Sequence, residues 1–260
     1  MKLSRRVALD GIQLDEVDAS VVIQGADPGT PRESISAVSV WGGSGQRITG
    51  EHFDVLEASV TYAINKPKES MADRRTVFDK VNKWAKKGWL TMNFMTGKRM
   101  RVDKVILPAM GDPRNQSSEW TITFRAYNVP FWQDATATSV TDTLTAATEK
   151  TKTVSNPGNA TTVLDVEYTN TSGETCTTFE VKIGTKKLEL TGLSLANNAK
   201  LTIGHGTDGR LTITAGSTNV YGKQTAGGLT DLYLQPGDNT VKVKAEKAGS
   251  VTLSCYGRYI

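Results

Sequence analysis

Residues 53–64 read FDVLEASVTYAI, and they alternate. Leu56, Ala58, Val60, Tyr62 and Ile64 are apolar throughout, whereas Val55, Glu57, Ser59 and Thr61 are mostly polar. A period of two places the first set on one face of a β-strand and predicts that this face is buried. Just beyond it the period changes. In SMADRRTVFDKVNKWAKKG (70–88), Met71, Phe78, Val81 and Trp84/Ala85 fall on one stripe of a helix. Ser70 is placed as its N-cap, and Asp73 in the first turn meets the positive end of the dipole. Lys83, Lys86 and Lys87 crowd the last turn, and Gly88 ends it. The basic face of this helix reads as a solvated surface, with its cations at the favourable end. A one-faced strand followed by one amphipathic helix predicts a sheet with a helix packed on it.

The neighbouring segments extend that sheet. VDASVVIQG (17–25) and SISAVSVWGG (34–43) read as strands, the second punctuated by glycines. WLTMNFM (89–95) and MRVDKVIL (100–107) form a hairpin, with Thr96 to Arg99 as the turn around Gly97. SEWTITFRAYNV (118–129) closes the set, its strand stopped by Pro130, which cannot extend a ladder. All five tryptophans lie at or before residue 132. A sheet packed on one helix needs bulky side chains between the layers, which accounts for their concentration.

After Trp132 the composition changes. QDATATSVTDTLTAATEKTKTVSNPGNATT (133–162) is rich in Thr, Ala and Ser; a domain boundary is expected near Gln133–Thr136, and the polar run from about residue 133 to residue 155 reads as accessible, as linkers are. Short strands with turn signals follow: TVLDVEYTN (162–170), CTTFEVKIG (176–184), KKLELTG (186–192), AKLTIGHG (199–206) and GRLTITAG (209–216). LTDLYLQPGDN (229–239), NTVKVKAEK (239–247) and SVTLSCYGRYI (250–260) complete the series. Such spacing predicts a sandwich or barrel. The fold class is therefore mainly β in two domains: residues 1–134, β-sandwich-like with one packed helix, and residues 135–260, a second β-sandwich.

The totals exclude several classes. The net charge of +4 over 260 residues is too small to mark a nucleic-acid binder. No apolar run is long enough for a membrane span, and the basic start lacks the apolar stretch of a signal peptide, so synthesis and retention on the cytoplasmic side are expected. Cys176 and Cys255 are too few for a disulfide framework. By strand alternation Cys176 shares a face with Thr178, Glu180 and Lys182, and Cys255 with Val251, Leu253 and Tyr259, so the two are expected in different environments as free thiols.

No motif assembles a catalytic, cofactor or metal site. GHGTDG (204–209) matches a dinucleotide fingerprint literally, but strands flank it, and it reads as a hairpin turn with Asp208-Gly209 at the tip. His52 and His205 lie in different halves, neither at ligand spacing from a second donor. Asp165 and Glu167 share a strand face as an ordinary solvent-side pair. The sequons at Asn159 and Asn170 read as turn residues. A sandwich could bind sugar, but the second half has no tryptophan, and Tyr168, Tyr221, Tyr233, Tyr256 and Tyr259 are scattered.

The ordered features GQRITGEHFDVLEASVTYAI (45–64), the helix with DRRTVFDKVNKWA (73–85), the hairpin and ITFRAYNVPFW (122–132) resemble the N-terminal domain of siphophage distal tail proteins. The second half resembles their galectin-like C-terminal sandwich, with the N-x-G segment Asn156-Pro157-Gly158-Asn159, the L-x-P-G-x-N turn Leu234-Gln235-Pro236-Gly237-Asp238-Asn239 and a final strand at GRYI. The resemblance implies a non-enzymatic virion protein of the phage tail tip, made in the host cytoplasm, with no cofactor. It implies a homohexameric ring joining the tail tube protein to the hub or tail-associated lysin, around the channel through which DNA passes, with receptor-binding proteins as further partners. Two rivals stand beside it. One is a carbohydrate-binding tail adhesin recognising host surface glycans; the other is a hydrolase subunit, disfavoured because no acid/base pair is visible.

Overall fold

The computed structural model describes residues 6–39, 46–65, 71–110, 119–205, 211–228 and 232–260. Tertiary contacts divide the chain into two compact units, Met1–Trp132 with Ile260, and Gln133–Tyr259. Both are built mainly of strands.

The first unit runs β1 (Val7–Leu9), β2 (Ile12–Gln13), α1 (Leu14–Val17), β3 (Val21–Asp27), β4 (Pro31–Ser39) and β5 (Gln46–Ile64). It continues with α2 (Met71–Trp84), β6 (Gly88–Met92), β7 (Lys98–Val102), β8 (Lys104–Ile106) and β9 (Glu119–Ala126). One sheet has the order β3-β5-β9-β8, with β4 paired to the first part of β5; strands β2-β1-β6-β7 lie side by side in another. Leu56, Ala58, Val60, Tyr62 and Ile64 are all buried, as the alternation requires. Across the ladder Leu56 faces Ala126 and Tyr62 faces Trp120, so Trp120, Ile122, Phe124 and Ala126 share the buried face. Helix α2 lies on this face through Phe78, Val81, Trp84 and Ala85. The Phe78 ring meets Trp120 edge-on at 5.5 Å, and the Trp84 ring meets Phe124 at 6.1 Å.

The structure departs from the sequence expectation at four places. The amphipathic helix ends at Trp84, and Gly88 opens β6, because the Asp10 carboxylate sits where a Gly88 side chain would be and accepts the Trp89 N–H at 2.8 Å. Helix α1 is a second helix beside the one expected, too short at four residues to show a stripe in the sequence. MRVDKVIL is not one strand. It breaks at Asp103, whose carboxylate accepts the N–H groups of Tyr127 and Asn128 at 2.8 and 2.9 Å, and β8 joins the other sheet. The last strand ends at Ala126, at this Asp103 cap, before Pro130 is reached. The proposed N-cap Ser70 and the side chain of Met71 lie outside the described residues.

Strand β10 (Trp132–Asp134) spans the division between the units. The second unit then runs β11 (Thr138–Leu144), β12 (Lys150–Asn156), β13 (Thr162–Val163), β14 (Asp165–Asn170), β15 (Cys176–Ile183), β16 (Lys186–Leu195) and β17 (Lys200–His205). Next come β18 (Leu211–Ala215), β19 (Thr218–Asn219), β20 (Gln224–Ala226), β21 (Tyr233–Leu234), β22 (Gly237–Ala245), β23 (Gly249–Cys255) and β24 (Arg258–Tyr259). Sheets β11-β23-β14-β17-β18-β19 and β12-β22-β15-β16-β20 enclose one core. The first contributes Tyr168, Leu201, Ile203, Val251 and Leu253; the second contributes Phe179, Val181, Leu188, Leu190, Val241 and Val243. That is a β-sandwich.

The threonine-rich segment is not a linker. Residues 138–144 pair along their whole length with β23, and 150–156 with β22. Both are terminal strands of their sheets, where a β-branched polar residue suits a largely solvated position. Cys176 and Cys255 are free thiols as expected, but they do not lie in different environments. The ladder shifts register between Cys176 and Thr178, and this bulge turns Cys176 inward, so both free thiols lie in the same core. Asn170 ends β14 and turns the chain, its side-chain oxygen accepting the Ser172 N–H at 3.1 Å; it is also wholly buried, and its amide donates to the carbonyls of Glu174 and Leu195 at 2.6 and 2.9 Å.

Candidate functional site

The three segments singled out in the second half meet at one place. The buried Asn156 amide donates to the carbonyls of Ala160 at 2.9 Å and Leu234 at 3.4 Å, while its oxygen accepts the Gly158 N–H at 3.0 Å. Asn239 closes the Leu234–Asn239 turn by accepting the Gln235 N–H at 2.9 Å and donating to the Gln235 and Gly237 carbonyls at 2.8 Å. A Cβ on Gly158 would come within 2.2 Å of the Arg258 carbonyl, so only glycine lets this segment lie against the final strand. The locus is structural. It ties the start of the sandwich to its end.

Edges differ between the units. β8 terminates its sheet and pairs only with β9 among the described strands. Ile106 and Leu107 are 39% and 45% exposed there, with Tyr127 at 44% just past the partner strand. An edge strand carrying apolar side chains is a template for another strand. β12, at the end of a sandwich sheet, is instead charged: Lys150 and Lys152 both reach Asp142 of β11. These lysines, Lys152 foremost, hold the Asp142 carboxyl well below the usual range. The outer face of that sheet is likewise an ion lattice. Lys182 and Lys242 stand directly opposite and share Glu149, at 3.3 and 3.0 Å; Glu180 and Glu189 stand opposite and share Lys187. Shared counter-ions relieve the like-charge pairs that would otherwise weaken the ladder.

The remaining candidates stay apart. His52 is exposed and meets Asp54 at 2.7 Å; His205 ends β17 in the other unit. Glu167 pairs with Lys200 at 2.8 Å, and Asp165 lies beside Gly204. β17 and β18 pair as a hairpin from Leu201–Ala215 to His205–Leu211, while the GHGTDG tip lies outside the described residues. No group of three or more His, Cys, Asp or Glu among the described residues could hold a metal ion. A surface depression on the sandwich is lined by Ala147, Thr178, Phe179, Glu180, Glu189, Lys244 and Glu246, and its one ring, Phe179, is turned into the core. Two features escaped sequence reasoning. The β8 edge was legible only as the apolar pair following Asp103, and the stacking of Arg99 and Arg101 on Trp89 only as arginines two apart opposite a tryptophan.

No protein-family model matches the chain, and no curated protein sequence does. Solved structures do. The crystal structure of SPP1 Dit, described as a paradigm of hub adsorption apparatus in phages infecting Gram-positive bacteria, superposes with a TM-score of 0.66. The match covers 98% of this chain and 99% of that one, at 14% identity. The chain has the SPP1 Dit fold. A chain of the phage P2 baseplate, in its activated conformation with Ca, superposes at 0.48 with 9% identity over 97% and 98% of the two chains, which is too distant to carry an argument. The match to SPP1 Dit spans both units, so their order along the chain is that of SPP1 Dit. No helix among the described residues is long and apolar enough to cross a membrane.

Proposed function

We propose that the chain is a non-enzymatic structural component of a long-tailed phage, forming a hexameric ring at the tail tip. The ring joins the tail tube to the baseplate hub and host-recognition apparatus around the DNA channel. The observation that carries this reading is the near-complete coverage of SPP1 Dit by both units at a TM-score of 0.66. The contrast between edges supports a division of labour. A ring needs heterologous contacts, one patch meeting a different patch on the next copy. The first unit offers the open apolar edge β8, whereas the terminal strand β12 of the second carries charge that resists strand addition. The first unit is therefore assigned to the ring, and the galectin-like sandwich to docking other tail proteins, within the virion tail.

Negative-stain imaging of the purified protein, at the highest concentration it tolerates, tests the reading. Particles with a central hole and sixfold symmetry are expected. Closed rings of another symmetry would remove the hexamer, and a monomer that stays monomeric beside purified tail tube would remove the ring.

A further inference from the structure

The chain is firmly held where α2 gives way to β6. Ala85 still donates its N–H to the Val81 carbonyl at 3.0 Å, and the Trp84 indole donates to the Ile12 carbonyl at 3.0 Å. Asp10 then holds Trp89 twice, its carboxylate accepting the Trp89 N–H at 2.8 Å and its own N–H reaching the Trp89 carbonyl at 2.9 Å. Lys83, Lys86 and Lys87 are exposed on this fixed stretch. Ile12, in the β1–β2 hairpin that Trp84 grips, is 50% exposed. An apolar side chain and a group of cations thus share one corner of the first unit.

The cations lack counter-charges. Elsewhere the chain pairs its lysines: Lys200 meets Glu167, and Lys182 and Lys242 share Glu149. Lys83, Lys86 and Lys87 meet no carboxylate among the described residues. The acids around them hold other partners. Asp10 takes the Trp89 N–H, Glu16 the Gln13 N–H at 3.2 Å, Asp18 takes Lys80 at 3.1 Å, and Asp79 takes Arg75 at 3.3 Å, while Asp15 forms no ion pair. The helix dipole accounts for Lys83 in the last turn, but its pull fades within that turn, and Lys86 and Lys87 lie beyond the end of α2. Nor does it account for an exposed isoleucine at the same corner. The first 132 residues hold 19 Lys/Arg against 15 Asp/Glu, and the remainder 12 of each, so the spare positive charge belongs to this unit.

We propose that this corner docks a partner protein through a surface on which carboxylates surround an aliphatic side chain. Lys83, Lys86 and Lys87 meet the carboxylates, and the aliphatic group covers Ile12. Protein is favoured over nucleic acid because duplexes draw on a longer cationic track, and single strands on aromatic rings that stack with bases. The inference goes beyond the proposed ring and holds whether or not the ring closes.

The test uses the full chain and two fluorescent peptides of equal charge, one alternating Glu and Leu, the other Glu and Ser. Anisotropy is read at roughly 20 mM and 300 mM salt, where screening differs several-fold. Both peptides should bind at low salt and fade at high salt, the Glu-Leu peptide binding the more tightly. Lys86→Ala/Lys87→Ala should weaken both by about tenfold. Lys223→Ala/Lys244→Ala removes the same charge from exposed lysines of the second unit and should change neither. Ile12→Ser should weaken the Glu-Leu peptide by about fivefold and leave the Glu-Ser peptide as it was. Thermal melts establish that each variant is folded, and the lysine pair, being exposed, serves if Ile12→Ser is not. Absence of binding at low salt overturns the proposal, as do equal losses from the two lysine pairs or equal affinities for the two peptides. A DNA oligonucleotide that binds more tightly than the Glu-Leu peptide, with the same lysine dependence, would replace it with a nucleic-acid site.

Discussion

Single buried polar groups make opposite demands here. Asn156 satisfies three backbone groups at once, so Asn156→Ala strands them in the core and should destabilise the fold by about 2–3 kcal/mol in a denaturant titration. Tyr62 is the reverse case. Its hydroxyl is buried with no hydrogen-bond partner among the described residues, and burial pushes its pKa up. Tyr62→Phe removes only an unpaired oxygen and should leave Tm unchanged or higher; a fall of several degrees would reveal a hidden partner. Asp18 gives a third kind of dependence. Hydrogen bonds from Ser20, with help from Lys80, lower its pKa from 3.8 to about 2. A depressed carboxyl stabilises the fold above its unfolded pKa and loses that contribution as pH falls through the folded value. Asp18→Asn should therefore be less stable than the parent above about pH 4, the difference shrinking as pH falls towards about 2, as melts across the range would read. None of these roles is written in residue type. Asn156 was visible as part of a motif, but the three groups it binds come together only in the folded chain.

At the scale of elements, what the sequence revealed depended on which face was apolar. β5 and α2 were legible because burial on one side imposes a period of two or 3.6 on the residues themselves. Phe78→Ala in α2 should cost about 3–5 kcal/mol, since the ring is buried against Trp120 and the helix cannot close the gap. A loss below about 1 kcal/mol would mean that the helix does not sit on the sheet. β11 and β12 do not announce themselves in the sequence because TSVTDTL and KTKTVSN alternate between largely polar residues, with Leu144, Val154 and Asn156 alone buried among them. Terminal strands bury little, so their pattern carries little. Hydrogen exchange should find slow amides within 138–144 and 150–156; uniformly fast exchange there would restore the linker. The Cys176 error has a different source: a single bulge inverts every parity argument made across it, and no composition announces a bulge.

For the whole molecule the proposed ring raises the question of how identical copies would meet. The sheet β3-β5-β9-β8 stops at a strand whose outward N–H and C=O groups have no strand partner among the described residues, beside exposed Ile106 and Leu107. Strand addition at that edge requires close approach of two backbones and desolvation of those side chains. A lysine at each position would leave both charges beside the incoming strand, the device by which natural edges stay unpaired. The substitutions fall on exposed positions, so the isolated fold should keep its stability within about 0.5 kcal/mol. Ile106→Lys/Leu107→Lys in the full-length chain should therefore yield a monomer by light scattering, at concentrations where the parent chain assembles, with an unchanged melting curve. If the variant still forms particles of the parent's mass, the copies do not join through β8. If it also melts early, the two side chains support the fold itself, and the ring contact has to be sought on another face of the first unit.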